Sequence, residues 1–141
     1  MRRNNNSAYI SLGSNLAERE AIMGISDARK HLEEVCFSTV MSDIYSTYSI
    51  SGDGRIYFNS VVRIVTAMEE RNLQNMFKQW ECEAGRDELA RLNKIVPIDI
   101  DIVVFNGNIL RPSDFERDYF QRGFQQLRSG DNFQPDSRMD L

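Results

Sequence analysis

The feature that most constrains this chain is the order in which its apolar residues change period. Ala8 to Leu12 (AYISL) reads as a short strand. Gly13-Ser14-Asn15 closes it, and Ser14 or Asn15 can cap a following helix. From Leu16 to Glu34 and just beyond, Ile22, Ile25, Ala28, Leu32 and Val35 recur at helical spacing. Cys36 to Tyr48 reads as one long strand, Ser49 to Gly54 as a glycine-containing loop, and Tyr57 to Thr66 as a β-branched strand. Leu73, Met76, Phe77, Trp80 and Ala84 line one face of a second helix, which Gly85 ends. Asp87 to Val96 is charged and irregular. Pro97 to Phe105 (PIDIDIVVF) is the next strand, and Asn106-Gly107-Asn108 is a turn. Ile109 to Leu127 reads as polar with scattered aromatics.

The order is β-α-β-β-α-β. It predicts an α+β fold of the split β-α-β, ferredoxin-like kind. An antiparallel sheet would carry two helices on one face and leave the other free for a site. A length of 141 residues suits a single domain over 1–141, with 1–7 and 128–141 as frayed tails.

Charge narrows the partners. The net charge is −4 and the pI about 5.0, which disfavours the basic stripe that nucleic acid requires. Of 17 basic residues only Lys30, Lys78 and Lys94 are lysine, and arginine suits phosphate and carboxylate recognition. Cys36 and Cys82 lack metal-type spacing and read as buried thiols of a reducing compartment. The polar start has no apolar segment behind it, and no run is long enough to span a membrane. The expectation is a cytoplasmic monomer with small-molecule partners, binding neither nucleic acid nor membrane.

Within the PIDIDIVVF strand, Asp99 and Asp101 point to one side while Ile98, Ile100 and Ile102 point to the other. Neighbouring carboxylates raise one another's pKa unless a cation lies between them. With phosphate present, hard oxygen ligands suit magnesium. The plainer alternative is that both face water. Gly13-Ser14-Asn15 is either a weak anion cradle or only a turn and cap. Glu81 and Arg86 flank the end of the second helix, as a solvated terminus or as part of a site. Tyr57 shares a strand face with Asn59, and Tyr45 with Thr47; such pairs can grip a heterocycle, though strands use them routinely. His31 has no companions for a triad or a metal set and reads as structural or surface.

Taken together, Tyr9 to Leu16 (YISLGSNL), Tyr45-Ser46-Thr47, Tyr57-Phe58-Asn59, Glu81 to Arg86, Ile98 to Ile102 (IDIDI) and Arg122-Gly123-Phe124 resemble the 6-hydroxymethyl-7,8-dihydropterin pyrophosphokinase family of folate biosynthesis. The resemblance spans about Ala8 to Leu127 and implies a ferredoxin-like core. It also implies transfer of the β,γ-diphosphate of ATP to the pterin hydroxymethyl group, releasing AMP. Asp99 and Asp101 would hold two Mg2+ ions, with Arg86 and Arg122 as phosphate-binding, catalytic arginines. The pterin pocket would map to Thr47, Tyr57, Asn59 and Phe124, with Phe124 stacking on the ring. The nucleotide would lie near Glu81, Arg86, Ile102 and Arg111.

The chain also departs from the family. Asn93 replaces an aromatic that closes over the pterin, Val96 and Glu88 replace arginines, Glu116 replaces a nucleotide-side histidine, and Tyr48 replaces a proline. An apolar, proline-containing stretch after the arginine-glycine-phenylalanine gives way to Gln125-Gln126-Leu127. Two expectations follow. The chain is a divergent working enzyme in which Lys94 or Arg91 supplies the missing charge, or a weak paralogue that binds a pterin or nucleotide. A more distant reading, a sheet that binds RNA or senses a small molecule, fits the acidic pI poorly.

Overall fold

A computed structural model describes residues 5–128. The elements run β1 (Asn6–Ser14), α1 (Glu18–Val35), β2 (Ser38–Met41), β3 (Tyr45–Tyr48), β4 (Ile56–Thr66), α2 (Glu70–Glu83), α3 (Glu88–Leu92), β5 (Asp99–Phe105), β6 (Asn108–Ile109), α4 (Pro112–Phe115) and α5 (Asp118–Arg128). β1 lies between β4 and β5, in the order β2-β4-β1-β5-β6, with β3 also on β4. Every pairing is antiparallel. This is the expected α+β, ferredoxin-like arrangement.

Periodicity explains one face. Ile25, Ala28 and Leu32 of α1 and Leu73 and Phe77 of α2 are buried against Ile10, Leu12, Ile64, Ile98, Ile100 and Ile102. Each such aliphatic side chain contributes about 1.5–3 kcal/mol when fully buried.

The structure departs from the expected elements in four places. The expected tails lie largely outside the described residues, but Asn6 and Ser7 are rungs of β1 rather than frayed chain. Asn6 Nδ2 donates to Met68 O at 2.8 Å. Arg128 is the last residue of α5, with its guanidinium 5.5 Å from the Phe124 ring centre. The expected Cys36–Tyr48 strand is broken between Met41 and Tyr45, because Ser42 turns its hydroxyl inward to accept from Val61 N at 2.8 Å. Within the irregular 87–96 connection lies α3, whose N-cap Asp87 accepts from Ala90 N at 2.8 Å.

The fourth departure matters most. Residues 109–127 are not merely polar chain but contain α4 and α5. Phe120 and Phe124 of α5 are fully buried against Tyr9, Val61, Val103 and Val104, forming a second core on the sheet's other face. That face is therefore not wholly free. α5 covers the half nearer Tyr9 and Val103 and leaves open the half nearer Gly13 and Asp99. Gly123 permits this close approach. A Cβ there would stand 2.6 Å from Val61 Cγ2, 2.8 Å from Tyr45 Oη and 2.9 Å from Ser42 Oγ.

Candidate active site

The open half of the face is built by strand alternation. Ser11 and Gly13 of β1, Tyr57 and Asn59 of β4, and Asp99 and Asp101 of β5 all project to it. The register sets Gly13 opposite both Asn59 and Asp99, and Ser11 opposite Asp101. With no side chain at Gly13, the middle strand leaves a depression between an amide and a carboxylate. The result is a hollow of about 190 Å³, walled further by Thr47, Tyr48, Ile50, Arg111, Asp114 and Tyr119.

Asn59 is 3% exposed, and its Nδ2 donates to Thr47 Oγ1 at 2.9 Å. That bond fixes the amide plane at the bottom of the hollow. Tyr57 forms one wall. Burial pushes its phenol pKa up, the nearby Asp99 and Asp53 charges add to this, and a side-chain hydrogen bond with Asn15 opposes it.

Beyond the two aspartates lies a second, more polar hollow of about 710 Å³. Its lining carries four cations, Lys78, Arg86, Arg91 and Arg111, and four carboxylates, Glu70, Glu81 and the two aspartates, with Ile102. Asp99, Asp101 and Arg111 line both hollows and mark their junction.

At that junction Arg86 Nη1 donates to Asp99 Oδ1 at 2.7 Å and lies 3.2 Å from Glu81 Oε1. Glu81 Oε2 accepts from Ile100 N at 2.8 Å, so Glu81 clamps the start of β5 and orients Arg86. Burial, then the charge of Asp99 and a hydrogen bond to it, push the Asp101 carboxyl up to about 8; Arg111, 3.9 Å away, pulls the other way. Burial and mutual repulsion thus both favour the protonated form of Asp101. A cation between the carboxylates would relieve the same repulsion. Among the described residues no third carboxylate, histidine or cysteine completes a metal set with them. The donor set thus fits a hard cation that keeps water or takes oxygens from a phosphate.

Of the residues expected in a site, the structure gathers Thr47, Tyr57, Asn59, Glu81, Arg86, Asp99, Asp101, Ile102 and Arg111 around the two hollows. It does not bring Arg122 and Phe124 there. Phe124 is 0% exposed and stacks on Phe120 with ring centres 5.3 Å apart, so the expectation that it stacks on a ligand is corrected. Arg122 donates to Ser46 O at 3.0 Å and lies 4.6 Å over the Tyr45 ring, away from the aspartates. The aromatic of α5 that does reach the first hollow is Tyr119, whose hydroxyl donates to Asp114; Arg111 Nε bonds the same carboxylate. A second arginine-x-aromatic run, Arg117-Asp118-Tyr119, was the available signal for it.

Three further expectations change. Glu116 caps the C-terminus of α4 and lines neither hollow. Arg91 reaches the second hollow, whereas Lys94 is exposed and does not. Gly13-Ser14-Asn15 serves as an anchor rather than an anion cradle: Asn15 Nδ2 donates to Lys94 O at 2.8 Å, and Asn15 Oδ1 accepts from Val96 N at 2.7 Å.

Residues 9–129 match the 7,8-dihydro-6-hydroxymethylpterin-pyrophosphokinase (HPPK) family. The chain belongs to this family. It is 33% identical over 113 residues to the folic acid synthesis protein FOL1 of Dictyostelium discoideum, a match covering 79% of this chain and 17% of that protein. It is 34% identical over 103 residues to the 2-amino-4-hydroxy-6-hydroxymethyldihydropteridine pyrophosphokinase of Bacillus subtilis, covering 72% of this chain and 61% of that protein. The chain thus spans less than two thirds of either relative. Among the described residues of this HPPK-family chain, no helix is long and apolar enough to cross a membrane.

Proposed function

We propose that this chain transfers diphosphate from ATP to 6-hydroxymethyl-7,8-dihydropterin, releasing AMP. The observation that carries this reading is that Asp99, Asp101 and Arg111 line both hollows. One hollow suits a flat heterocycle and the other a polyanion, so the two ligands would meet at the acid pair.

The pterin ring would lie between Tyr57 and Tyr119, its edge hydrogen-bonded by the Asn59 amide that Thr47 holds in plane. Lys78, Arg86, Arg91 and Arg111 would offset phosphate charge. Arg91 supplies a cation on the nucleotide side, where Glu88 replaces a family arginine. Asp99 and Asp101 would hold two magnesium ions against the phosphates; when bound, these neutralise charge and align the phosphate chain. The pterin hydroxyl oxygen would form a bond to the β-phosphorus and give up its proton to water, as the bond from that phosphorus to the α,β-bridging oxygen breaks and AMP leaves with that oxygen. Most of the rate enhancement would come from positioning two substrates in one cleft.

The test is AMP release from ATP, magnesium and the dihydropterin at several enzyme concentrations. AMP rising in proportion to enzyme supports the reading. No AMP, with pterin still binding by calorimetry, would replace it with a binding module on the same fold.

A further inference from the structure

Asp114 adds a third carboxylate to a hollow that already carries Asp99 and Asp101. Both of its oxygens are engaged. Oδ1 accepts from the Tyr119 hydroxyl, and Oδ2 accepts from Arg111 Nε. The carboxylate thus ties a wall of the first hollow to a cation at the junction of the two hollows.

One side of this tie is firmly seated. Tyr119 stands in the first turn of α5, and the buried Tyr45 hydroxyl donates to its carbonyl at 2.6 Å. Asp114 lies in α4, whose Phe115 packs into the second core with its ring centre 5.2 Å from that of Phe124. The other side is not seated by packing. The Arg111 side chain is 49% exposed, and arginine has many rotamers to lose. With Nε held on Asp114 the guanidinium plane is set, and Nη1 lies 3.9 Å from Asp101 Oδ1.

Charge alone argues against an acid at this place. A carboxylate beside Arg111 repels any polyanion that the arginine attracts. Geometry accounts for it instead, because a planar carboxylate can hold a phenol and a guanidinium at once.

We propose that Asp114 is a positioning residue for ATP: it ties Arg111 to the Tyr119 phenol, so that the guanidinium is oriented at the junction before the phosphates arrive. This rests on the functional reading above. Ordering a long side chain in advance removes that cost from binding.

The test is calorimetric titration with α,β-methylene-ATP and magnesium, comparing the unaltered chain, Asp114→Ala, Asp114→Asn and Tyr119→Phe. Positioning and charge differ in sign. Charge alone would tighten binding when the carboxylate is removed, and would leave it unaltered in Tyr119→Phe. Positioning makes Asp114→Ala weaken binding about 3- to 10-fold, the cost of ordering one long side chain. Asp114→Asn keeps an oxygen for Arg111 and an amide for the phenol oxygen, so its affinity should stay within about twofold of the unaltered chain. Tyr119→Phe frees one side of the tie and should weaken binding about 2- to 5-fold. The Asp114 side chain is 22% exposed and Tyr119→Phe keeps its ring, so all three variants should fold, which thermal unfolding checks. Unchanged or tighter binding in Asp114→Ala overturns the inference alone, as does unchanged binding in Tyr119→Phe. A loss in Asp114→Asn as large as in Asp114→Ala overturns it too, because the clamp geometry would then not be what matters. If the unaltered chain does not bind the analogue, the functional reading fails and this inference falls with it.

Discussion

Replacing Gly123 by alanine opposes two effects of known sign. Inside a helix the change normally stabilises by about 1 kcal/mol. Here the new methyl would meet Val61 Cγ2 at 2.6 Å, Tyr45 Oη at 2.8 Å and Ser42 Oγ at 2.9 Å. All three belong to or flank the sheet beneath α5, and none can swing away. Tyr45 Oη accepts from Gly123 N at 2.9 Å and donates to Tyr119 O at 2.6 Å. Ser42 Oγ accepts from Val61 N. Relief therefore requires α5 to lift, which weakens the bonds of a buried phenol. Overpacking costs about 1–3 kcal/mol, and each buried group left unpaired about 1–3 kcal/mol more. With one such group left unpaired and the helix gain subtracted, the net loss is about 1–5 kcal/mol. At roughly 3 °C per kcal/mol for this size, the midpoint should fall by roughly 3–15 °C. Thermal unfolding followed by circular dichroism reads this directly, with exposed Gln125→Ala on the same helix as a control expected within about 0.5 kcal/mol. A midpoint unchanged or raised in Gly123→Ala would mean that α5 is not seated on the sheet, and the assignment of Phe124 to the core would fall with it.

The acid pair gives a pH signature. Asp101 rises from an unfolded value of about 3.9 to about 8 in the fold. Its stabilising proton is fully present below the lower value and is lost as pH rises through the upper one. In chelator, the unfolding midpoint should therefore decline between pH 5 and pH 8.5, roughly the span between those two values. Asp101→Asn should flatten that decline while abolishing magnesium-dependent ATP binding; an identical pH profile in the variant would refute the shared proton. Asn59→Ala should weaken pterin binding about 10- to 100-fold, the cost of one or two lost hydrogen bonds, with little change in ATP affinity, and equal loss of both by calorimetry would sink the assignment. Tyr119→Leu should weaken pterin binding about tenfold at nearly constant stability. Phe124→Leu should do the reverse, lowering the unfolding midpoint with pterin affinity intact.

The parts of this fold visible in the sequence are those where side chains report their own environment. Ile98, Ile100 and Ile102 alternate with Asp99 and Asp101, so the period alone separates core from cleft. α5 was missed although Phe120, Gly123, Phe124 and Leu127 stand at helical spacing, because polar neighbours diluted the pattern. The same dilution hid Tyr119, since Arg122-Gly123-Phe124 offered a competing match. The Asn15–Lys94 bond was not legible at all. Its acceptor is a main-chain carbonyl, which any residue type provides, and the donor is far away in sequence.

The break between β2 and β3 bears on behaviour at high concentration. An unbroken strand along the outer side of β4 would present a long ladder of free amides and carbonyls, on which a strand of another molecule could grow. Turning Ser42 inward divides that margin into two stretches of four residues each. At the opposite margin β6 is only two residues long. Neither side offers the continuous template that sheet-to-sheet polymerisation needs, although Phe37 and Val40 lie exposed there. A substitution that straightened residues 42–44 would remove a safeguard against fibrils while leaving both hollows intact.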